Sequence, residues 1–337
     1  MTVRRAVVGM AAAIVLMSVV PGAALAPPPR TLDATVDLLL GLDVRPFAIA
    51  HRGFGENLGE DRSRPVENTV AAVERGFEAG ASVVEVDVQL TRDHRVAVFH
   101  NDFLPDFTCV NKLTLAELQA RLPHVPALED VLAVARRFNG LHPLRGIVII
   151  ELKAAAPLCD PADAQERAIV STVTEVIRRM RMTTQVLFTS LSPALLYLAQ
   201  RHAPDVERIL SVSGVQFLSR EQLEEVFELP VTLIDKRLDL GLQWADVGAV
   251  YRLPGYRSVD ELLRTAALTN ARVVEADLLL LHSAGAALVY ALHVAGLKVF
   301  GFTANSVNDW KFMDSLGVDG IYTNDVPMGV SRQAPIP

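Results

Sequence analysis

Val83-Val84-Glu85-Val86-Asp87-Val88-Gln89-Leu90 is the stretch whose reading decides the architecture. It is β-branched and alternating, which predicts a strand. Side chains two apart on a strand share a face. Val84, Val86 and Val88 therefore make one apolar face, suited to a covering layer of helices. Glu85 and Asp87 point together to the other face, into an interior where unpaired charge is prohibitively costly. Gly146 to Leu152 repeats the arrangement, an apolar run closing in Glu151-Leu152-Lys153, which sets two further charged residues on one face.

Outward from these two strands the pattern is strand, loop, helix, repeated. A short helix is expected at Thr31–Leu40 and a strand at Phe47–Ala50. Helices follow at 68–79, 128–138, 164–180, 193–201, 259–268, 284–295 and 307–316. Strands are expected at 96–99, 185–189, 206–212, 272–276, 298–302 and 320–322. The stretch from Ser213 to Asn270 is less regular, with a helix near Arg220–Phe227 and a strand at Val231–Ile234. Buried strands alternating with amphipathic helices argue for a parallel sheet covered by helices. About eight such units favour closure into a (β/α)8 barrel, which takes about 250 residues and fits once in a chain of 337. No Gly-x-Gly-x-x-Gly follows the first strand, which argues against an open dinucleotide-binding sheet.

In such barrels the active residues sit at the carboxyl ends of the strands. The first strand ends in His51-Arg52-Gly53, a natural phosphate-facing pair. His100 closes the apolar run Val96–Phe99 just past the second strand. Glu85 and Asp87, with Glu151 on the neighbouring strand, can make a three-carboxylate site, and Lys153 can reach toward a phosphate oxygen. Ligation by oxygen alone favours Mg²⁺, Ca²⁺ or Mn²⁺ over zinc; salt bridges to inward Lys or Arg are the alternative. Two histidines and one cation suffice for phosphodiester cleavage. One imidazole takes a proton from the nucleophile and the other gives one to the leaving alkoxide. His94, His124, His142, His202, His282 and His293 fall in turns or on helices and are expected to be structural.

The first residues stand apart. Arg4 and Arg5 precede an uncharged apolar run from Ala6 to Val20, and Ala24-Leu25-Ala26 ends the segment before three prolines. That is the pattern of a secretory signal over residues 1–26, followed by a join over 27–44 and the barrel over 45–330. The apolar run is shorter than the roughly 20 residues of a spanning helix, so no stable membrane anchor is expected after cleavage. Export would remove two arginines and no acid, taking the net charge from −7 to −9. A chain this acidic has no general attraction for nucleic acid or anionic lipid, so phosphate recognition must be local. Cys109 and Cys159 are the two cysteines. Both fall in loops leaving the carboxyl ends of adjacent strands, and a disulfide between them is expected in an exported protein.

From about Phe47 to Pro327 the chain resembles the glycerophosphodiester phosphodiesterases. The resemblance rests on His51-Arg52-Gly53, Glu67-Asn68-Thr69, Glu85-Val86-Asp87 with the following Val88 to Asp93, Val98-Phe99-His100, Glu151-Leu152-Lys153 and Leu316 to Ile321. It implies a TIM-type barrel with a short insertion at residues 103–126. It further implies a divalent cation on Glu85, Asp87 and Glu151, acid–base work by His51 and His100, and phosphate contacts from Arg52 and Lys153. The implied reaction is hydrolysis of a glycerophosphodiester to glycerol 3-phosphate and an alcohol. Departures are an extra Val66 before Glu67, Asn101 where Asp is usual, Phe302 where Trp is common, and Asn324 inside the terminal Thr-Asp. Three of them lie at the barrel mouth and bear on the substrate. Sphingomyelinase-D-like or lysophospholipase-D-like enzymes acting on lysophospholipids, and an inactive binding protein, are the rival readings.

The exported protein is expected to begin at or near Pro27. N-terminal sequencing of secreted material tests this, and an intact Met1 would overturn it.

Overall fold

The computed structural model describes residues 35–42, 46–156, 159–162, 164–217 and 255–333. The expected signal segment, the helix near 220–227 and the strand at 231–234 lie outside the described residues.

Among the described residues nine strands form one sheet: β1 (Phe47–Ala50), β2 (Val83–Leu90), β3 (Val96–Val98), β4 (Ile147–Leu152), β5 (Val186–Ser190), β6 (Glu207–Val212), β7 (Val273–Asp277), β8 (Lys298–Ala304) and β9 (Gly320–Thr323). All but β3 run parallel. β1 pairs with β9 on one side, Phe47 opposite Gly320, and with β2 on the other, Ile49 opposite Val83. That double pairing closes the ladder into an eight-stranded barrel. The expected short run at 96–99 is an antiparallel strand on β2, with Val98 opposite Val88.

The period of two along each strand splits the apolar residues into two cores. Ala48, Val84, Val86, Val88, Val148 and Ile150 face outward and pack with the helices. Phe47, Ile49, Val83, Ile147, Ile149, Leu187, Ile209 and Val273 fill the barrel itself. The helix Thr35–Leu40 closes the amino-terminal end, adding Val36, Leu39 and Leu40 to that inner core. Higher in the barrel the inward residues turn polar. β2 runs from Val83 to Glu85 and Asp87, and β4 from Ile149 to Glu151. The β2–β4 register sets Asp87 directly opposite Glu151.

Two helices depart from the sequence reading. Leu278–Val294 begins six residues before the expected start, capped by Asp277, whose side chain accepts from the Leu280 amide. The unbroken apolar run Leu278–Leu281 hides the helical period, which becomes legible only after Gly285, where the helix is interrupted. The insertion holds an unexpected helix, Leu115–Arg121, started by a capping box of Thr114 and Glu117. Leu104, Val110, Leu113, Leu118 and Val125 give it a small core of its own. The expected Cys109–Cys159 disulfide is present, with a Cα–Cα distance of 5.6 Å. It ties the insertion to the loop after β4. Among the described residues no helix is long and apolar enough to cross a membrane.

Leu39→Ala, in the plug, should destabilise the fold by about 2–5 kcal/mol, read from urea unfolding. A loss below about 0.5 kcal/mol, the scale of surface substitutions, would show that the plug does not close the inner core.

Candidate active site

The turn after β1 is built around one close approach. Arg52 takes a φ of 46° and Gly53 one of 94°. A Cβ on Gly53 would lie 2.7 Å from that of Ala72, and one on Gly76 would lie 2.2 Å from the Gly53 carbonyl oxygen. Only glycine lets the helix Val70–Glu78 pack onto this turn. In that position the Arg52 amide donates to Glu85 Oε2 at 2.9 Å. The Glu67-Asn68-Thr69 motif holds the turn from the other side. Arg52 Nη1 donates to Glu67 Oε1 at 2.9 Å. Asn68 Nδ2 donates to Asp87 Oδ2 at 2.8 Å, and Asn68 Oδ1 accepts from the Asp87 amide at 3.0 Å. Thr69 caps the helix.

Glu85, Asp87 and Glu151 meet as the sequence predicts, each offering an oxygen within 4.8 Å of the others. Their environments are unequal. Lys153 Nζ lies 3.0 Å from Asp87 Oδ1 and 2.9 Å from Glu151 Oε1. Arg52 Nε lies 3.5 Å from Asp87 Oδ2. Lys153 therefore bridges two carboxylates as well as facing the cavity, so the inward salt bridge expected as the alternative to a cation is present. Glu85 Oε1 is buried with no hydrogen-bond partner. An orphaned carboxylate oxygen beside two more carboxylates fits a hard divalent cation, which Glu85, Asp87 and Glu151 would hold.

The electrostatics agree. Burial, then Asp87 and Glu151, push the Glu85 carboxyl well above the usual range. Burial brings Glu151 up to about 8 against the pull of Lys153. Burial acts upward on Asp87 too, but Lys153, His100 and Arg52 outweigh it and hold that carboxyl well below its ordinary value.

Both expected histidines line the same cavity, of about 260 Å³, with Arg52, Glu85, Glu151 and Lys153. His51 Nδ1 lies 2.8 Å from Asn324 Oδ1, which also accepts from the Glu56 amide. That second donor fixes the Asn324 oxygen as an acceptor, so Nδ1 carries the proton and Nε2 keeps its lone pair. His51 Nε2 lies 3.9 Å from Glu85 Oε2. His100 Nδ1 pairs with Asn101 Oδ1 at 2.8 Å. Two residues that depart from the family pattern thus orient the two imidazoles. Burial and then Arg52 lower His51 to about 4, and burial, Arg52 and Lys153 lower His100 well below its ordinary value. Elsewhere His293 pairs with Asp319 at the far end of the barrel, and His142 accepts from the Leu144 amide.

The opposite wall of the cavity is one the sequence reading does not single out. Thr189, Ser211, Glu275 and Tyr322, on β5, β6, β7 and β9, face the carboxylates. Glu275 Oε1 accepts from Thr189 Oγ1 at 2.8 Å, and Oε2 accepts from the Tyr322 hydroxyl. The available signal was Glu275-Ala276-Asp277, a charged alternation like that of β2.

The family model described as glycerophosphoryl diester phosphodiesterase matches residues 51–328. The chain belongs to that family. A glycerophosphodiester phosphodiesterase of Bacillus altitudinis is 26% identical over 82% of this chain and 93% of its own length. The Bacillus subtilis protein YqiK is 30% identical over 45% of this chain, and the match spans 63% of that relative. A match to a Caldanaerobacter subterraneus enzyme of the same description spans only 28% of its length. Among solved structures, the Thermotoga maritima glycerophosphodiester phosphodiesterase superposes with a TM-score of 0.57 at 17% identity, covering 85% of this chain and 98% of its own. An Oleispira antarctica phosphodiesterase, solved with the product sn-glycerol-3-phosphate, gives a TM-score of 0.56 at 19% identity, covering 85% and 95%. At these identities the two structures show a shared fold.

Proposed function

We propose that the chain hydrolyses glycerophosphodiesters to glycerol 3-phosphate and an alcohol. The observation that carries this reading is the convergence of three carboxylates, one with an orphaned oxygen, with two imidazoles and two basic groups at one cavity. The product bound by the Oleispira enzyme supports the same substrate class. The rival of an inactive binding protein has no observation in its favour, since every residue the chemistry needs is present and His51, Arg52, Glu85, His100, Glu151 and Lys153 line the cavity.

A Mg²⁺, Ca²⁺ or Mn²⁺ ion on Glu85, Asp87 and Glu151 would supply Lewis-acid charge against the phosphoryl oxygens. Arg52 and Lys153 hold the remaining oxygens, and the carboxylates that flank each keep it in place. His51, neutral with its Nε2 lone pair exposed, takes the proton from the attacking water. The P–O bond to the alcohol breaks, and His100 returns a proton to the departing oxygen. The negative phosphodiester beside His100 favours the protonated imidazole that this step requires. The protein is exported in this account. Its N-terminal pattern supports that location, as does the disulfide, a bond that persists in oxidising compartments.

Replacing either His51 or His100 with Ala should lower kcat by about 10²–10⁴-fold on an unactivated diester. A p-nitrophenol leaving group needs little protonation, so it should partly rescue His100→Ala and leave His51→Ala impaired. Equal losses in both variants on both substrates would contradict this division of roles.

A further inference from the structure

The chemistry occupies half of the barrel mouth, the ends of β1, β2 and β4. The other half bounds the same cavity with different side chains. Its deep layer is wholly polar: Thr189 on β5, Ser211 on β6, Glu275 on β7 and Tyr322 on β9, all buried with 1–4% of their surface exposed. The register places Ser211 directly beside Glu275. The Glu275 carboxylate is held by hydroxyls from three other strands: Thr189 Oγ1 at 2.8 Å, the Tyr322 hydroxyl, and the Ser211 hydroxyl. Apolar groups, Leu191 and Phe302, also border the cavity.

We propose that Glu275 and its hydroxyl partners form a specificity wall that binds the free hydroxyls of the glycerol arm of the diester. The proposal rests on the glycerophosphodiester reading and adds to it the residue that selects the deacylated arm. With the phosphoryl group fixed against Arg52 and Lys153, beside the cation that the three carboxylates would hold, the substituents on phosphorus must extend away from that half of the mouth. An arm that enters the deep layer meets a carboxylate whose oxygens have lone pairs beyond the bonds they already accept. It also meets hydroxyls that both donate and accept. A vicinal diol satisfies such a surface. An acyl ester removes one hydroxyl and would bring an alkyl chain against a buried carboxylate, leaving polar groups desolvated without partners. The wall therefore favours deacylated diesters over lysophospholipids.

A purely structural reading makes Glu275 a brace across β5, β6, β7 and β9. The two roles differ in whether a substrate's hydroxyls matter. The test uses the full, cation-loaded enzyme with glycerophosphocholine, bis(p-nitrophenyl) phosphate, which has no hydroxyl, and 1-acyl lysophosphatidylcholine. In wild type the lysophospholipid should be the poorest of the two choline diesters. In Glu275→Gln the ratio of kcat/KM for glycerophosphocholine to that for the aryl diester should fall by about tenfold or more, chiefly through KM. Inhibition by glycerol 3-phosphate should weaken more than inhibition by inorganic phosphate. Thr189→Val, which removes one hydroxyl at nearly constant shape, should shift the same ratio in the same direction and gives the answer if Glu275→Gln does not fold. A ratio unchanged within about twofold, or equal losses on both diesters, would overturn the proposal in favour of the brace. Equal turnover of the lysophospholipid and glycerophosphocholine by wild type would also overturn it. A wild type that cleaves the aryl diester but not glycerophosphocholine would refute the substrate reading itself, and the wall with it.

Discussion

Glu85, Asp87 and Glu151 repel one another inside the carboxyl-terminal end of the barrel, and much of the surrounding structure is arranged around that repulsion. The strands that carry them cannot turn these side chains outward, because Val84, Val86, Val88 and Ile150 already occupy the outer face against the helices. The charge must be answered from within. Lys153 answers part of it, on Asp87 and Glu151. Arg52 answers another part and is itself placed by a turn that only glycine at positions 53 and 76 permits. Asn68 adds two hydrogen bonds to Asp87. What these groups leave unanswered is one buried oxygen of Glu85, and that remainder defines where a cation fits.

The same arrangement explains why one end of the barrel is chemical and the other mechanical. At the amino-terminal end the inward residues are apolar and the helix 35–40 seals them. At the carboxyl end they are charged or hydroxylic and border an open cavity. The apolar inner core thus lies apart from the polar residues of the mouth. The disulfide joins the insertion that follows His100 to the loop beyond Lys153.

Much of this was legible in the sequence because period-two alternation reports which face a residue occupies. Glu85, Asp87, Glu151 and Lys153 stood out as charges on otherwise apolar strands, and the structure brings all four together. Salt bridges to an inward Lys or Arg were the alternative to a cation in the sequence; which carboxylates Lys153 meets was not legible, since it depends on the register between β2 and β4. Nor were the orienting roles of Asn101 and Asn324, which look like ordinary loop residues until their imidazole partners are placed in space. Glu275 carried the same alternation signal, but on a strand far along the chain and flanked by no recognised motif. The helix beginning at Leu278 was missed at its start because four successive leucines have no helical period. The helix 115–121 was missed although Thr114 and Glu117 spell its cap.

We propose that Glu85, Asp87 and Glu151 together hold one divalent cation. Calorimetric titration of the metal-free protein with Mn²⁺ tests it most directly. The account predicts one ion bound per chain in wild type and an affinity at least about tenfold weaker in Glu85→Gln, since even groups that only support a metal ligand cost that much when lost. Absence of binding in wild type, or unchanged affinity in Glu85→Gln, would contradict it.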